Sequence, residues 1–270
     1  MTRFIHLTDI HLSAPEVADA TLDSDTVATL QRVLDQVAAL NPAPAFIVMS
    51  GDLTNRGHDE SYDLLARMIA PVEIPIFLAL GNHDRRAGFH RAFPGLGAHP
   101  DAPLDHDRVL GGLHVITLDT AEPGRVGGRL DAEQLDWLAA ALAREPGRRK
   151  LLVLHHPPSL DPGRAGRWTT LDQPSTEALA RVVAGHDIAG ILSGHVHYNR
   201  VAHWLGIPVV ISVGQHASVD LLARGEVRIV EGAGFAICDL LPGGLSASFV
   251  PVHPGRVIRR VPLDRLNGLA

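Results

Sequence analysis

The sequence predicts an α/β fold in which two mixed β-sheets pack together with helices outside them. Three observations predict it. Six apolar runs enriched in β-branched residues precede position 194, most of them too continuously apolar to be wetted on one face, so they read as strands buried on both. Amphipathic stretches separate most of these runs, which is the alternation of a βαβ chain. After residue 200 long helical patterns stop and three more strand patterns follow, which suits antiparallel pairing that completes a sheet.

The first strand is expected at 4–8. A helix at 26–40 follows, with Val27, Leu30, Val33, Leu34 and Val37 on one face and Ser24 as candidate cap. A strand at 45–50, a helix at 58–69 and a strand at 74–80 come next. Strands at 114–118 and 151–154 flank a helix at Ala132–Arg144, where Asp131 and Gln134 have capping-box spacing. A fourth helix, 177–184, follows Pro174-Ser175-Thr176 and leads to a strand at Ile188–Ser193. The late strands are 208–213, 235–240 and 246–252. Three Gly/Pro-rich stretches, 85–112, 121–129 and 157–173, read as long structureless loops, a length usually reserved for functional lids. They should rim one cleft, and Trp168 is expected to pack the last of them, with stacking on a base as the alternative.

With 270 residues, 46% hydrophobic and 20% charged, the chain can bury a sizeable core. No compositional break divides it. It therefore reads as one domain over 1–270, with a core to about 215 and a β-rich completion over 216–270. No secretory leader pattern opens it and no apolar run reaches the roughly 18 residues that span a bilayer, so a cytoplasmic protein without a membrane partner is expected. Cys238 is the only cysteine, which rules out an intrachain disulfide and suits a small buried hydrophobe in a strand. The net charge of −6, without a basic stripe, argues against a nucleic-acid polymer as partner. Arg256, Arg259 and Arg260 read as a solvated face. The β-rich C-terminal part offers a surface for a homo-oligomer.

Five short motifs carry the chemistry: Asp9-Ile10-His11, Gly51-Asp52, Gly81-Asn82-His83-Asp84, His155-His156 and Gly194-His195-Val196-His197. Each stands just past an apolar run, and ligands of open α/β sheets gather beyond the carboxyl ends of strands. Asp9 and His11, two apart, can project from one turn, and His195 and His197 repeat that spacing. Gly51, Gly81 and Gly194 stand where a side chain would crowd the site. Imidazoles suit Zn, Fe and Mn, while carboxylate and amide oxygens suit harder ions. Enough ligands are present for two adjacent divalent ions, with Asp52 the candidate bridge, and paired metals are a device for attacking phosphate esters. Any one motif alone is weak; their joint occurrence at strand ends is what carries the reading. His6, His58, His90, His99, His106, His114, His186, His203 and His253 read as surface or hydrogen-bonded histidines.

These motifs, in this order over about the first 200 residues, resemble those of the calcineurin-like metallophosphoesterases. The resemblance implies a four-layer αββα sandwich with two mixed central sheets. It implies that Asp9, His11, Asp52 and His197 hold one metal and that Asp52, Asn82, His155 and His195 hold the second, the pair being Mn, Fe or Zn. His83 matches the family's proton donor to the leaving group, with a metal-bridging hydroxide attacking phosphorus in line. Asn82, His83, His156 and His216 are the candidate substrate contacts. For His156 and His216 the competing reading is a hydrogen bond that orients a ligand.

Protein Ser/Thr phosphatases carry an Arg where this chain has Leu80 and an Asp where it has Asn55. A neutral Asn55 cannot raise the pKa of His83 as a carboxylate would. The stretch from Gly51 to Gly57, Glu60-Ser61-Tyr62 and His155-His156-Pro157-Pro158 resemble instead the bacterial small-molecule phosphodiesterases. That implies small phosphodiester substrates, foremost 3',5'-cyclic nucleotides such as cyclic AMP. Glycerophosphodiesters, or a broad range of mono- and diesters, are the alternative. A non-catalytic metal-binding scaffold would be expected to have lost ligands, and all seven are present here.

Overall fold

The computed structural model describes residues 1–17, 19–22, 24–97, 99–161 and 168–262. In the first sheet β1 (Thr2–Leu7), β2 (Ile47–Ser50) and β3 (Ile76–Ala79) run parallel. The late strands β12 (Gly234–Leu241) and β13 (Gly244–Pro251) extend it antiparallel on the β1 side. In the second sheet β5 (Leu113–Leu118), β6 (Lys150–Leu154), β7 (Ile188–Ser193) and β9 (Ile207–Ile211) are parallel, and β4 (His106–Leu110) and β8 (Arg200–Trp204) are its antiparallel edges. A two-stranded ribbon, β10 (Ser218–Val219) with β11 (Ile229–Val230), stands apart from both.

Side chains alternate between two apolar layers, which explains the unbroken apolar runs. Phe4, Phe46, Val48, Phe77, Val115, Leu151, Val153, Leu192 and Cys238 fill the space between the sheets. The opposite face of the first sheet, with Ile5, Leu7, Ile47 and Met49, is covered by α1 (Thr26–Ala38) and α2 (Asp59–Ile69) through Leu30, Val33, Val37, Tyr62 and Leu65. On the second sheet Ile116, Leu118, Leu152, Leu154 and Ile191 meet Leu138 and Leu142 of α4 (Ala132–Arg144) and Leu179 and Val183 of α5 (Gln173–Val183). The layers are therefore helix, sheet, sheet, helix. No helix among the described residues is long and apolar enough to cross a membrane.

Several expectations need correction. The 85–112 stretch is not structureless: it holds α3 (Arg86–Ala92) and β4. The late strand near 208 does not join the antiparallel completion but lies parallel to β7 in the second sheet. Asp25, not Ser24, caps α1, accepting from the Ala28 amide at 2.9 Å. α5 starts at Gln173, capped by Asp172, with Pro174 in its first turn, where a missing N–H costs nothing. The capping box of α4 is formed as expected. Residues 162–167 of the anticipated third loop lie outside the described residues.

Candidate metal centre

The carboxyl ends of strands from both sheets meet at one place. β1 delivers Asp9 and His11, β2 delivers Asp52, and β3 delivers Asn82 and His83. From the second sheet β6 delivers His155 and His156, β7 delivers His195 and His197, and β9 leads to His216. One donor atom each of Asp9, His11, Asp52 and His197 falls within 4.8 Å of the others. His197 Nε2 is 3.2 Å from Asp9 Oδ1, and His11 Nε2 is 3.6 Å from Asp52 Oδ2. His155 Nε2 lies 3.2 Å from Asp52 Oδ2, so Asp52 touches histidines of both expected metal positions.

The backbone is bent to achieve this. Asp9, His11, Asp52, His195 and His197 all have φ between 48° and 75°, in the left-handed region. Leu205 is the one other non-glycine with positive φ among the described residues. Such conformations cost on the order of 1–3 kcal/mol each and persist only where the surroundings enforce them. Glycine is needed beside them for space. A Cβ on Gly81 would meet the Asp52 amide nitrogen at 2.5 Å, and one on Gly194 would run into Thr8 and Asp9.

The imidazoles are oriented for coordination. His11 donates from Nδ1 to Asn55 Oδ1 at 2.8 Å, and His155 donates from Nδ1 to the Ser50 carbonyl at 2.9 Å. His11 therefore carries its lone pair on Nε2, and His155 turns Nε2 towards Asp52, the nitrogen through which a histidine so oriented binds a metal. His155 Nε2 and Asn82 Oδ1 are buried without a hydrogen-bond partner. The Nε2 atoms of His11 and His197 face each other at 3.3 Å. Buried acceptors left in this way fit divalent cations. His195 gives its main-chain N–H to Asp9 Oδ2 at 2.9 Å and spends Nε2 on the Trp168 carbonyl, which leaves Nδ1 as the ring nitrogen for a metal.

Burial pushes His11 down to about 3 and His195 and His216 down to about 4, which keeps these rings neutral. Burial opposes a charge on His155 too, but the carboxylate of Asp52 outweighs it and lifts that ring to about 9. Burial likewise works against ionised Asp9 and Asp52, yet the histidines beside them hold both below the ordinary carboxylate range.

His83 stands at the exposed rim. Its amide donates to Asp52 Oδ1 at 2.8 Å, and Nδ1 donates to the main-chain carbonyl of Asn55 at 2.9 Å. A carbonyl thus takes the orienting role that a carboxylate plays in protein phosphatases. The cleft, about 390 Å³, is lined by His11, Asp52, Asn82, His83, His195, His197 and His216, with Leu22, Val126, Trp168 and Ile229 as apolar wall. His216 lies with its ring centroid 4.4 Å from that of His11. His156 departs from the substrate contact expected of it. It is fully buried, accepting from Thr120 Oγ1 at 2.8 Å and donating to the Val126 carbonyl at 2.9 Å, so both ring nitrogens are spent on protein.

Asp84, the last residue of the Gly81-Asn82-His83-Asp84 motif, has a role that depends on partners far along the chain. Its carboxylate accepts from the amides of Leu53, Thr54 and Gly81 at 2.9–3.0 Å and from the Tyr62 hydroxyl at 3.0 Å. It thereby ties the Asp52 loop to the Asn82 loop. Burial, with Asp52 nearby, pushes it up to about 6.

Comparison with known proteins agrees with this geometry. The chain is 36% identical over 222 residues to a "Probable cyclic nucleotide phosphodiesterase" of Rhodococcus erythropolis, covering 80% of this chain and 72% of the relative. It is 33% identical over 261 residues to a "cAMP/cGMP dual specificity phosphodiesterase" of Mycobacterium tuberculosis, covering 94% and 80%. A dimetal phosphatase from Danio rerio shares the fold, with a TM-score of 0.63 at 14% identity over 93% of this chain and 98% of that one. The pattern of the calcineurin-like phosphoesterases matches residues 2–199, and with its ligand-bearing strand ends meeting in one cleft the chain belongs to the calcineurin-like metallophosphoesterase family.

Proposed function

We propose that the protein is a dinuclear-metal phosphodiesterase of small substrates, foremost 3',5'-cyclic nucleotides. The observation that carries the metal reading is the buried Asn82 Oδ1 and His155 Nε2, neither of them hydrogen-bonded, with Asp52 Oδ2 3.2 Å from the imidazole nitrogen. Asp9, His11, Asp52 and His197 would hold one ion; Asp52, Asn82, His155 and His195 would hold the other. Bound ions of this kind supply Lewis acidity and an ionised water near neutral pH.

The chain's own residues do the rest. The Asn55 carbonyl fixes the Nδ1–H of His83, so that the ring, when it carries a second proton on Nε2, can give that proton to the departing alkoxide and return to the neutral Nδ1–H form, a step worth roughly 10²–10⁴-fold. His216 and Asn82 line the cleft where the phosphate would sit, and Leu22, Val126, Trp168 and Ile229 supply an apolar wall against which a nucleobase can lie. The cyclic-nucleotide choice is supported by the names of the two bacterial relatives. The acidic balance of the chain stands against a nucleic-acid polymer. We also read 1–270 as one domain, because strands on both sides of residue 216 share the first sheet.

The test is hydrolysis of cyclic AMP, glycerophosphoethanolamine and bis(p-nitrophenyl) phosphate by protein stripped with chelator and resupplied with Mn²⁺. Mn²⁺-dependent turnover with cyclic AMP preferred is expected. Turnover without metal would overturn the metal assignment, and preference for the glycerophosphodiester would overturn the substrate assignment.

A further inference from the structure

One wall of the cleft is built by a segment that the metal motifs do not include. Thr21 and Leu22 line the cleft, and Thr21 and Ser24 line the adjoining cavity that reaches Arg32 and His253. A single carboxylate organises this segment. Asp19 Oδ1 accepts from the Thr21 amide at 2.9 Å and the Thr21 hydroxyl at 2.7 Å, closing a turn on itself. Asp19 Oδ2 accepts from Asn55 Nδ2 at 2.7 Å and from Arg56 Nε at 2.5 Å. The carboxylate is only 11% exposed, so both oxygens are committed to these bonds.

Asn55 is the link inward. Its Oδ1 accepts from His11 Nδ1, and its main-chain carbonyl accepts from His83 Nδ1. A primary amide presents its oxygen and nitrogen in opposite senses, so the Asp19 acceptor also decides which end of Asn55 faces His11. With the NH₂ held by Asp19, only the oxygen is left for the imidazole, and Nε2 of His11 keeps its lone pair.

We infer that Asp19 is a positioning residue: a latch that docks the 19–22 wall onto Asn55 and, through that amide, fixes the ring of His11. The inference rests on the reading of His11 as a metal ligand. Substrate-wall placement and metal affinity are then set by one carboxylate outside every metal motif.

The experiment measures Mn²⁺ binding by calorimetry and steady-state kinetics on bis(p-nitrophenyl) phosphate for the full chain and its variants. Removing a direct partner of a metal-ligating histidine typically costs 10–100-fold in affinity, so Asn55→Ala should lose about tenfold or more and Asp19→Ala, one bond further out, about fivefold. Asp19→Ala should also raise KM about tenfold with kcat within about threefold, the sign of lost ground-state binding. Arg56→Ala removes the ion pair but keeps the Asp19–Asn55 bond, and its Mn²⁺ affinity should stay within about twofold of the parent. Should Asp19→Ala fail to fold by circular dichroism, Asp19→Asn is measured in its place; it keeps an acceptor oxygen and should fall between parent and Asn55→Ala. Parent affinity and KM in Asp19→Ala, or in Asp19→Asn where that replaces it, would overturn the latch. So would an Arg56→Ala loss equal to that of Asp19→Ala. A parent chain that binds no Mn²⁺ would instead sink the metal centre itself.

Discussion

His83 is held at two points, and truncating its side chain separates them. The main-chain N–H that braces Asp52 survives in His83→Ala, while the ring fixed by the Asn55 carbonyl is lost. Metal content should therefore stay at parent level. Activity on cyclic AMP, whose alkoxide must be protonated, should fall about 10²–10⁴-fold, and activity on p-nitrophenyl esters far less, because nitrophenolate leaves unaided. Equal losses on both substrates would remove His83 from the acid role. At this scale the sequence showed which residue types gather but not how they are braced. Asp9, His11, Asp52, His195 and His197 were readable as candidate ligands from their motifs. Their left-handed φ values, the turn of Asn55 towards His11 and the engagement of both nitrogens of His156 were not, since each depends on partners far along the chain.

Elements were legible where local signals and burial agreed. The Ala132–Arg144 helix has its capping box, and Ile188–Ser193 is buried throughout, so both were placed to the residue. Elements defined by tertiary partners were missed. α3 is seven residues long and its N-cap residue, Arg85, provides no side-chain capping hydrogen bond. β4 and β8 are edge strands with mostly polar or exposed residues, which read as loop. Beneath the cleft, Asp105 joins three of these elements: its Oδ1 accepts from the Asp119 amide past β5 at 2.9 Å and from Gln134 Nε2 of α4 at 3.0 Å, just before β4 begins. Burial raises this carboxyl to about 6 from an ordinary 3.8. Well below pH 3.8 it is protonated folded or unfolded and costs nothing. As pH rises towards 6 the unfolded chain ionises first, so stability is lost, up to about 3 kcal/mol, and the deficit stays constant above that. Asp105→Asn should therefore resist urea better than the parent at pH 8 and about equally near pH 2.5. The same difference at both pH values would refute the assignment.

Across the whole molecule, the layer between the sheets carries the alignment of the site. Phe46 is fully buried there, stacked on Phe4 with centroids 4.8 Å apart and edge-on to Phe77 at 5.8 Å. Phe46→Ala should cost about 3–5 kcal/mol in chemical denaturation, as large-to-small changes in a packed interior do. A loss under about 1 kcal/mol would show that the layer repacks freely. The layered architecture itself was legible, because strands apolar on both faces require a cover on each side. The parallel placement of β9 beside β7 was not, since its apolar run fits either sheet equally well.

Asp9, His11, Asp52 and Asn82 hang from one sheet, while His155, His195 and His197 hang from the other. On the proposed ligand set, a cation would be gripped by both halves and would rivet them together, and it would grip only the folded chain. Heat resistance would then rise with the logarithm of free ion once the sites begin to fill. A cell starved of that ion would hold a looser molecule as well as an idle one, more open to proteases, and scarcity would thin the protein's numbers along with its turnover.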